Sequence, residues 1–99
     1  MEAALRAIAE PRRRQILALV RTNELSAGDI AAQFDVTWPA ISQHLGVLKD
    51  AGLVTDRAAG TRRIYTVDQE GLGMLRAYLD QFWSRSLANF KAAAEQEDS

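Results

Sequence analysis

The chain has 99 residues, 47% hydrophobic and 25% charged, with a net charge of −1, a single histidine and no cysteine. That composition fits one soluble globular domain; it excludes a disordered tail, a disulfide framework and thiolate chemistry. No apolar run approaches the length of a membrane span, and charges interrupt Met1 to Arg14 as no signal peptide allows, so the expected location is cytoplasmic.

Met1 to Ala9 can form a short helix with Leu5 and Ile8 on one side. Pro11 suits the first turn of a second helix, where its missing N–H costs nothing; this helix runs to about Thr22 and buries Ile16, Leu17 and Val20. Ser26 with Asp29 three residues later has capping-box spacing, and Ile30, Ala31 and Phe34 follow on the inward face. Asp35-Val36 makes a tight turn, after which Thr37 caps a further helix with Pro39 in its first turn. Ile41, Leu45 and Leu48 line one face of that helix, and Gly52 closes it. Leu53–Arg57 and Arg62–Val67 are predicted strands, joined by the loop Ala58-Ala-Gly-Thr61. From Glu70 to about Gln96 the spacing is helical again, with Leu72, Leu75, Leu79, Phe82, Trp83, Leu87 and Phe90 at three- and four-residue steps. A continuous helix there is about 40 Å long at 1.5 Å per residue and outruns the small domain it must cover.

The expected architecture is mostly α with a small β-hairpin wing, a winged helix-turn-helix filling one domain over 1–99. Residues 26–52 make the helix-turn-helix and 53–68 the wing. The far apolar residues of the last helix, Trp83, Leu87 and Phe90, need another surface, which a second copy supplies most simply. The aromatic stripe Tyr78, Phe82, Trp83 and Phe90 has a second reading, an effector pocket between two long helices that would shift the dimer geometry.

Charge is distributed unevenly. Arg57 to Tyr65 holds three arginines and no acid, Thr37 to Lys49 has Lys49 as its one formal charge, and the tail holds Glu95, Glu97 and Asp98. Acids are thus missing from the two segments suited to face DNA phosphates. The helix core turns Pro39, Ala40, Gln43, Gly46 and Val47 outward, with Ser42 and His44 on the flanks. Gln43 can pair bidentately with adenine, Ala40 can touch a thymine methyl, and Ser42 can serve a base or a phosphate. Thr37 and Trp38 stand where phosphate would approach the helix end. Lys49, Arg57, Arg62 and Arg63 complete the candidate DNA contacts. Strand alternation sends Arg62 and Arg63 to opposite sides, so one is expected on DNA and the other on an acid of the same subunit. His44 has a structural reading, a hydrogen bond to backbone, beside the phosphate-contact reading. Arg12, Arg13 and Arg14 stand at the positive end of a helix, which disfavours them; pairing with acids such as Glu10 or Glu2 is the expected compensation for most of them, a phosphate contact by one the other reading.

The segments Glu10-Pro-Arg-Arg-Arg-Gln-Ile-Leu17, Leu25-Ser-Ala-Gly-Asp-Ile-Ala31, Pro39-Ala-Ile-Ser-Gln-His-Leu45, Leu48-Lys-Asp-Ala-Gly-Leu-Val54 and Gly60-Thr-Arg-Arg-Ile-Tyr65 together resemble the ArsR-type winged-helix repressors. The resemblance runs from about Leu5 to Val67, with a weaker echo at Phe82-Trp83. It implies a homodimer built on the first and last helices, 1–9 and 70–96, with Leu5, Ile8, Leu79, Phe82, Trp83, Leu87 and Phe90 as the expected dimer contacts, each half reading one half of an inverted-repeat operator in double-stranded DNA. Many members sense metals through a Cys-x-Cys pair before the recognition helix or through His and carboxylate ligands on the last helix. Ser26 and Gly28 occupy those two Cys positions here, and the last helix has no histidine. The resemblance is therefore to the metal-independent branch, with no cofactor or metal expected; Trp38 departs from the smaller residue usual at its position.

An enzyme is excluded by inventory: no Cys, one His, no glycine-rich phosphate loop and no sheltered carboxylate pair. The remaining alternative is a winged-helix module for protein–protein contact. Such a module would carry large apolar residues on the exposed face of its recognition helix.

Overall fold

The computed structural model describes the backbone of residues 1–97 and their side chains other than those of residues 83–87, 91, 96 and 97. Five helices and three short strands follow in the order α1 (Glu2–Ala9), α2 (Pro11–Thr22), β1 (Leu25–Ser26), α3 (Ala27–Gln33), α4 (Trp38–Asp50), β2 (Val54–Ala59), β3 (Arg62–Val67) and α5 (Gln69–Glu97). α1 to β3 fold into a head from which α5 projects, giving extents of 66 × 27 × 22 Å. Among the described residues, no helix is long and apolar enough to cross a membrane.

Local chemistry sets most boundaries. Pro11 disfavours the α conformation at Glu10, which is extended at φ −91°, ψ 124° and separates α1 from α2. The Glu10 carboxylate then caps α2 by accepting the Arg13 N–H at 2.9 Å. Ser26 and Asp29 form the expected capping box of α3, and Thr37 Oγ1 accepts the Ala40 N–H of α4 at 3.3 Å. α4 ends in a Schellman motif: Leu53 N–H reaches Leu48 O, Gly52 N–H reaches Lys49 O, both at 2.9 Å, and Gly52 supplies the positive φ of 78°.

The arginine run of α2 solves its unfavourable position differently from the expected acid pairing. Arg13 Nε donates to Ala7 O at 2.7 Å, and Arg14 Nη1 donates to Ile8 O at 2.8 Å and Ala9 O at 3.2 Å. These are the orphan carbonyls at the negative end of α1, so the start of α2 caps the end of α1. Arg12 instead lies over the Phe34 ring, 4.7 Å from its centroid.

The three strands form one antiparallel sheet in the order β1-β3-β2. β1, which sequence periodicity did not announce, pairs Leu25 with Tyr65 and Ser26 with Ile64. The wing is longer than the sequence suggests. Pairing continues through Ala58↔Arg63 and Ala59↔Arg62, which shortens the expected four-residue loop to Gly60-Thr61. Gly60 has φ 64° and Thr61 is not positive, the pattern of a type II′ connection.

The core joins Ile16 and Val20 of α2, Ile30 of α3, Ile41, Leu45 and Leu48 of α4, and Leu53, with Ala4 and Ala7 of α1 against it. Leu5 and Ile8, the larger residues of α1, are half-buried at its edge. α5 is tied on at its start, where Asp68 N–H donates to Leu53 O and Asp68 Oδ1 accepts the Gly71 N–H. Leu75, 3% exposed, is its last buried residue among the described ones.

Candidate nucleic-acid interface

Burying Ile41, Leu45 and Leu48 turns the opposite face of α4 to solvent. Pro39, Ser42, Gln43, Gly46 and Val47 are exposed there, and Trp38 is 61% exposed at the helix start. Trp38 keeps its place by lying against the first turn of α3, where only hydrogen stands at Gly28: an added Cβ would touch its ring at 3.6 Å. Ala40 is half-buried beside this face. His44 turns away from it, and its Nδ1 accepts from Arg13 Nη1 at 3.4 Å, so it joins α4 to the α1–α2 corner.

The wing folds back beside the start of α4. Ser26 and Ala27, Trp38 and Ser42, and the wing residues Thr61, Arg62, Arg63 and Tyr65 enclose a cleft of about 290 Å³. Two expected wing contacts and two from α4 therefore share one concave surface.

The cations do not stand alone. Lys49 Nζ lies 3.0 Å and Arg63 Nη1 3.1 Å from the two oxygens of Asp56, whose side chain is only 8% exposed. This triad links the end of α4 to both wing strands. Arg57 pairs with Glu24 at 2.9 Å. Arg62 reaches both Ser26 Oγ, at 2.8 Å, and the Asp29 carboxylate, tying the wing to the capping box of α3. Both wing arginines thus hold an acid of the same chain, where one alone was expected to. Each of the three arginines still exposes more than half of its side chain, so phosphate can approach without first breaking the fold.

Three of the acids are held ionised by the groups around them. The hydrogen bond from Lys49 is the main cause that lowers the Asp56 carboxyl below the ordinary aspartate range, with Arg63 adding to it. Asp29 is lowered chiefly by the Ser26 hydroxyl and backbone N–H, then by Arg62. Glu10 is lowered mainly by the Arg13 N–H it caps.

Asp56, Asp29 and Glu24 are the positioning residues that linear charge counting missed. They lie outside the acid-free segments yet fold onto them. Only the Ser26–Asp29 capping signal hinted at one of the three.

Among the described residues no three His, Cys, Asp or Glu side chains come together as a metal site. Ser26 is spent on the α3 cap and on Arg62. At the far side of the molecule, Leu79, Phe82 and Phe90 on α5 are 41%, 53% and 75% exposed; the side chains of Trp83 and Leu87, also expected there, lie outside the described residues.

Residues 10–56 match the bacterial regulatory protein, arsR family. The chain is 44% identical to the HTH-type transcriptional regulator Rv2034 of Mycobacterium tuberculosis, across 97% of this chain and 90% of that protein. It is 38% identical to the transcriptional repressor SdpR of Bacillus subtilis, across 69% of this chain and 76% of that one. Among solved structures, the homodimeric winged helix-turn-helix DNA-binding domain of Mb0332 from Mycobacterium bovis superposes with a TM-score of 0.70 at 31% identity, covering 84% of this chain and 77% of that one. An exposed α4 that carries no acid from Trp38 to Lys49, beside a wing rich in arginine and in a chain this similar end to end to a named regulator, identifies the protein as a member of the ArsR family of DNA-binding transcription regulators.

Proposed function

We propose that this regulator is a homodimeric repressor that reads an inverted-repeat operator, one half-site per subunit, without a sensing metal. The observation that carries the reading is the joint surface of α4 and the wing, where Ser42 and Trp38 face Arg62 and Arg63 across one cleft. Gln43 and Ser42, exposed on α4, supply base readout; Ala40 adds an apolar edge for a thymine methyl. Thr37, whose hydroxyl caps the helix, and Trp38 meet the phosphate backbone at the positive end of α4. Lys49, Arg57, Arg62 and Arg63 supply the sequence-independent part of the affinity. His44 acts from behind, by holding α4 against Arg13.

The dimer half of the reading is supported by the exposed stripe on α5 and by the homodimeric Mb0332 domain. Leu5, Ile8, Leu79, Phe82, Trp83, Leu87 and Phe90 are the proposed contacts. Repression follows from the resemblance to SdpR. The metal-free reading rests on Ser26 and Gly28 in place of cysteines, and on the capping work Ser26 performs instead.

The test is fluorescence anisotropy with duplex DNA from upstream of the protein's own gene, beside a scrambled duplex, over a salt series. The expected outcome is selective binding that weakens steeply with salt and is indifferent to chelator. Equal binding to both duplexes, or a loss on chelation, overturns the reading. A promoter–reporter assay settles the sign: a rise in transcription on binding contradicts repression. A duplex that never binds favours the protein-contact module, although Val47, 37% exposed, and Trp38 are the only large apolar residues on that face among the described ones.

A further inference from the structure

The guanidinium of Arg13 is engaged at each of its nitrogens. Nε donates to Ala7 O at 2.7 Å and Nη2 to Arg6 O at 3.2 Å, both on the last turn of α1, and Nη1 faces His44 Nδ1 on α4 at 3.4 Å. Arg13 and His44 are both half-buried. One side chain of α2 thus spans from α1 to the helix that carries Gln43, the neighbour of His44.

The contact has one chemical requirement. Arginine only donates, so His44 Nδ1 must offer its lone pair, whereas an imidazolium has donors at both nitrogens. Protonation of His44 therefore breaks the bond and leaves two cations face to face. The surrounding charges do not restore it. Arg13 of α2 opposes a charge on His44. Glu10, between α1 and α2, favours one, but by drawing the ring away from Arg13. α1 presents the carbonyls of Arg6 and Ala7, and its charged side chains, Glu2 and Arg6, are exposed to solvent. Asp29 of α3 is held by Arg62, and Asp56 of β2 by Lys49 and Arg63. On α4 itself, Lys49 and Asp50 lie more than a turn further on.

We infer that Arg13 is a positioning residue for DNA reading: through His44 it sets the pose of α4 against α1, and this contact makes operator selection sensitive to protons. The inference rests on α4 being the reading helix and adds to it the pair that aims that helix. Its sign is opposite to that of a phosphate contact. A cation gained on a DNA-facing histidine would tighten every duplex; a strut lost behind the helix weakens the selected one alone.

His44 is the single histidine, so one imidazole answers for the interval from about pH 8 to about pH 5. The test is anisotropy across that interval at fixed ionic strength, with duplex DNA from upstream of the protein's own gene and with a scrambled duplex, beside an NMR titration of the imidazole. Binding to the upstream duplex should weaken about tenfold as the imidazole takes up its proton, the scale of a hydrogen bond to a charged group. The scrambled duplex should hold or gain. His44→Gln, whose amide oxygen accepts at every pH, should flatten the profile. His44→Leu should bind the upstream duplex as weakly at high pH as the parent does at low pH. Arg13→Met, which leaves protonation no bond to break, should lose the pH dependence too. Selective binding that ignores pH, or a profile that survives His44→Gln or Arg13→Met, overturns the inference and leaves the regulator standing. Tightening of both duplexes at low pH overturns it in favour of a phosphate contact by His44. No selectivity at any pH overturns the DNA reading and the inference with it.

Discussion

In the head, the apolar core of α4 and the cations of the wing find partners within the chain; along α5 the apolar side chains progressively lose theirs. Ile41, Leu45 and Leu48 of α4 are fully buried at three- and four-residue steps. Leu75, Leu79, Phe82 and Phe90 recur at similar steps on α5, and their exposure climbs to 75%. The same period therefore means a closed core in one place and an open surface in the other. What separates them is reach: α4 has α1, α2, α3 and the sheet around it, whereas α5 runs past all of them after its first two turns.

The largest effects should separate these two regions. Leu45→Ala deletes a fully buried side chain and should cost about 2–5 kcal/mol of stability, read by chemical denaturation at any protein concentration. Phe82→Ala removes a half-exposed ring that touches Tyr78 edge-on, with centroids 5.1 Å apart. Its loss should appear as a weaker dimer and a more concentration-dependent melting temperature, with little change in the dilute limit. If Phe82→Ala destabilises the dilute protein as much as Leu45→Ala does, the contrast between head and helix fails.

Gly71 sits at the joint between them. A Cβ built there collides with the carbonyl of Gly52, the residue whose positive φ closes α4. Backbone cannot step aside as a flexible side chain can. Gly71→Ala should therefore cost about 1–3 kcal/mol and loosen α5 from the head. Gly73→Ala, two residues on with open space around it, is the matched control and should be neutral or slightly stabilising through helix propensity. Equal denaturation curves for the two variants would show that the joint is not tight.

How much of this was legible in the sequence depends on the range of the interaction. Caps, the inward face of α4 and the turn glycines are encoded within four residues, and Ser26, Thr37, Gly52 and Gly60 stand where local rules place them. β1 was not legible, since two residues carry no period and Leu25 becomes a strand only because Tyr65 arrives beside it. Arg13 and Arg14 looked misplaced because the carbonyls they cap belong to the preceding helix. The outward face of the candidate interface followed from the buried one, but the pairing of its cations did not. Glu24 and Arg57 meet across 33 positions of sequence, as do Asp29 and Arg62.

On the interface itself, exposure and readout should separate cleanly. Gln43 is exposed and takes no part in the core. Gln43→Ala should leave the melting temperature unchanged, cost about 1–3 kcal/mol of specific binding and relax the preference at one base pair. Arg62→Ala should weaken specific and scrambled duplexes alike and lower the salt slope by about one. A Gln43→Ala protein with unaltered operator preference would remove that residue from the readout and shift the burden to Ser42.

The smallest effect concerns the strap between α4 and the wing. Lys49, Asp56 and Arg63 join three elements through one carboxylate whose side chain is 8% exposed, while both cations remain about half exposed. An isolated surface pair is worth under about 1 kcal/mol, so the strap orients the wing more than it holds the fold. Its sign is fixed by the lowered Asp56 carboxyl. A folded-state value below the unfolded one adds stability in full above the ordinary aspartate range. That stability is lost as the pH falls through the folded value. Parent and Asp56→Asn should thus differ most near neutral pH, begin to converge below about 4, where the unfolded chain takes up the proton, and meet only once the pH has fallen through the lowered folded value. DNA binding should report the same strap differently. With Asp56 gone, Arg63 and Lys49 no longer share a carboxylate, so non-specific affinity should rise while selectivity for the operator falls. If affinity rises with selectivity intact, Asp56 only neutralises the wing; if both hold steady while the pH difference persists, the strap serves stability alone.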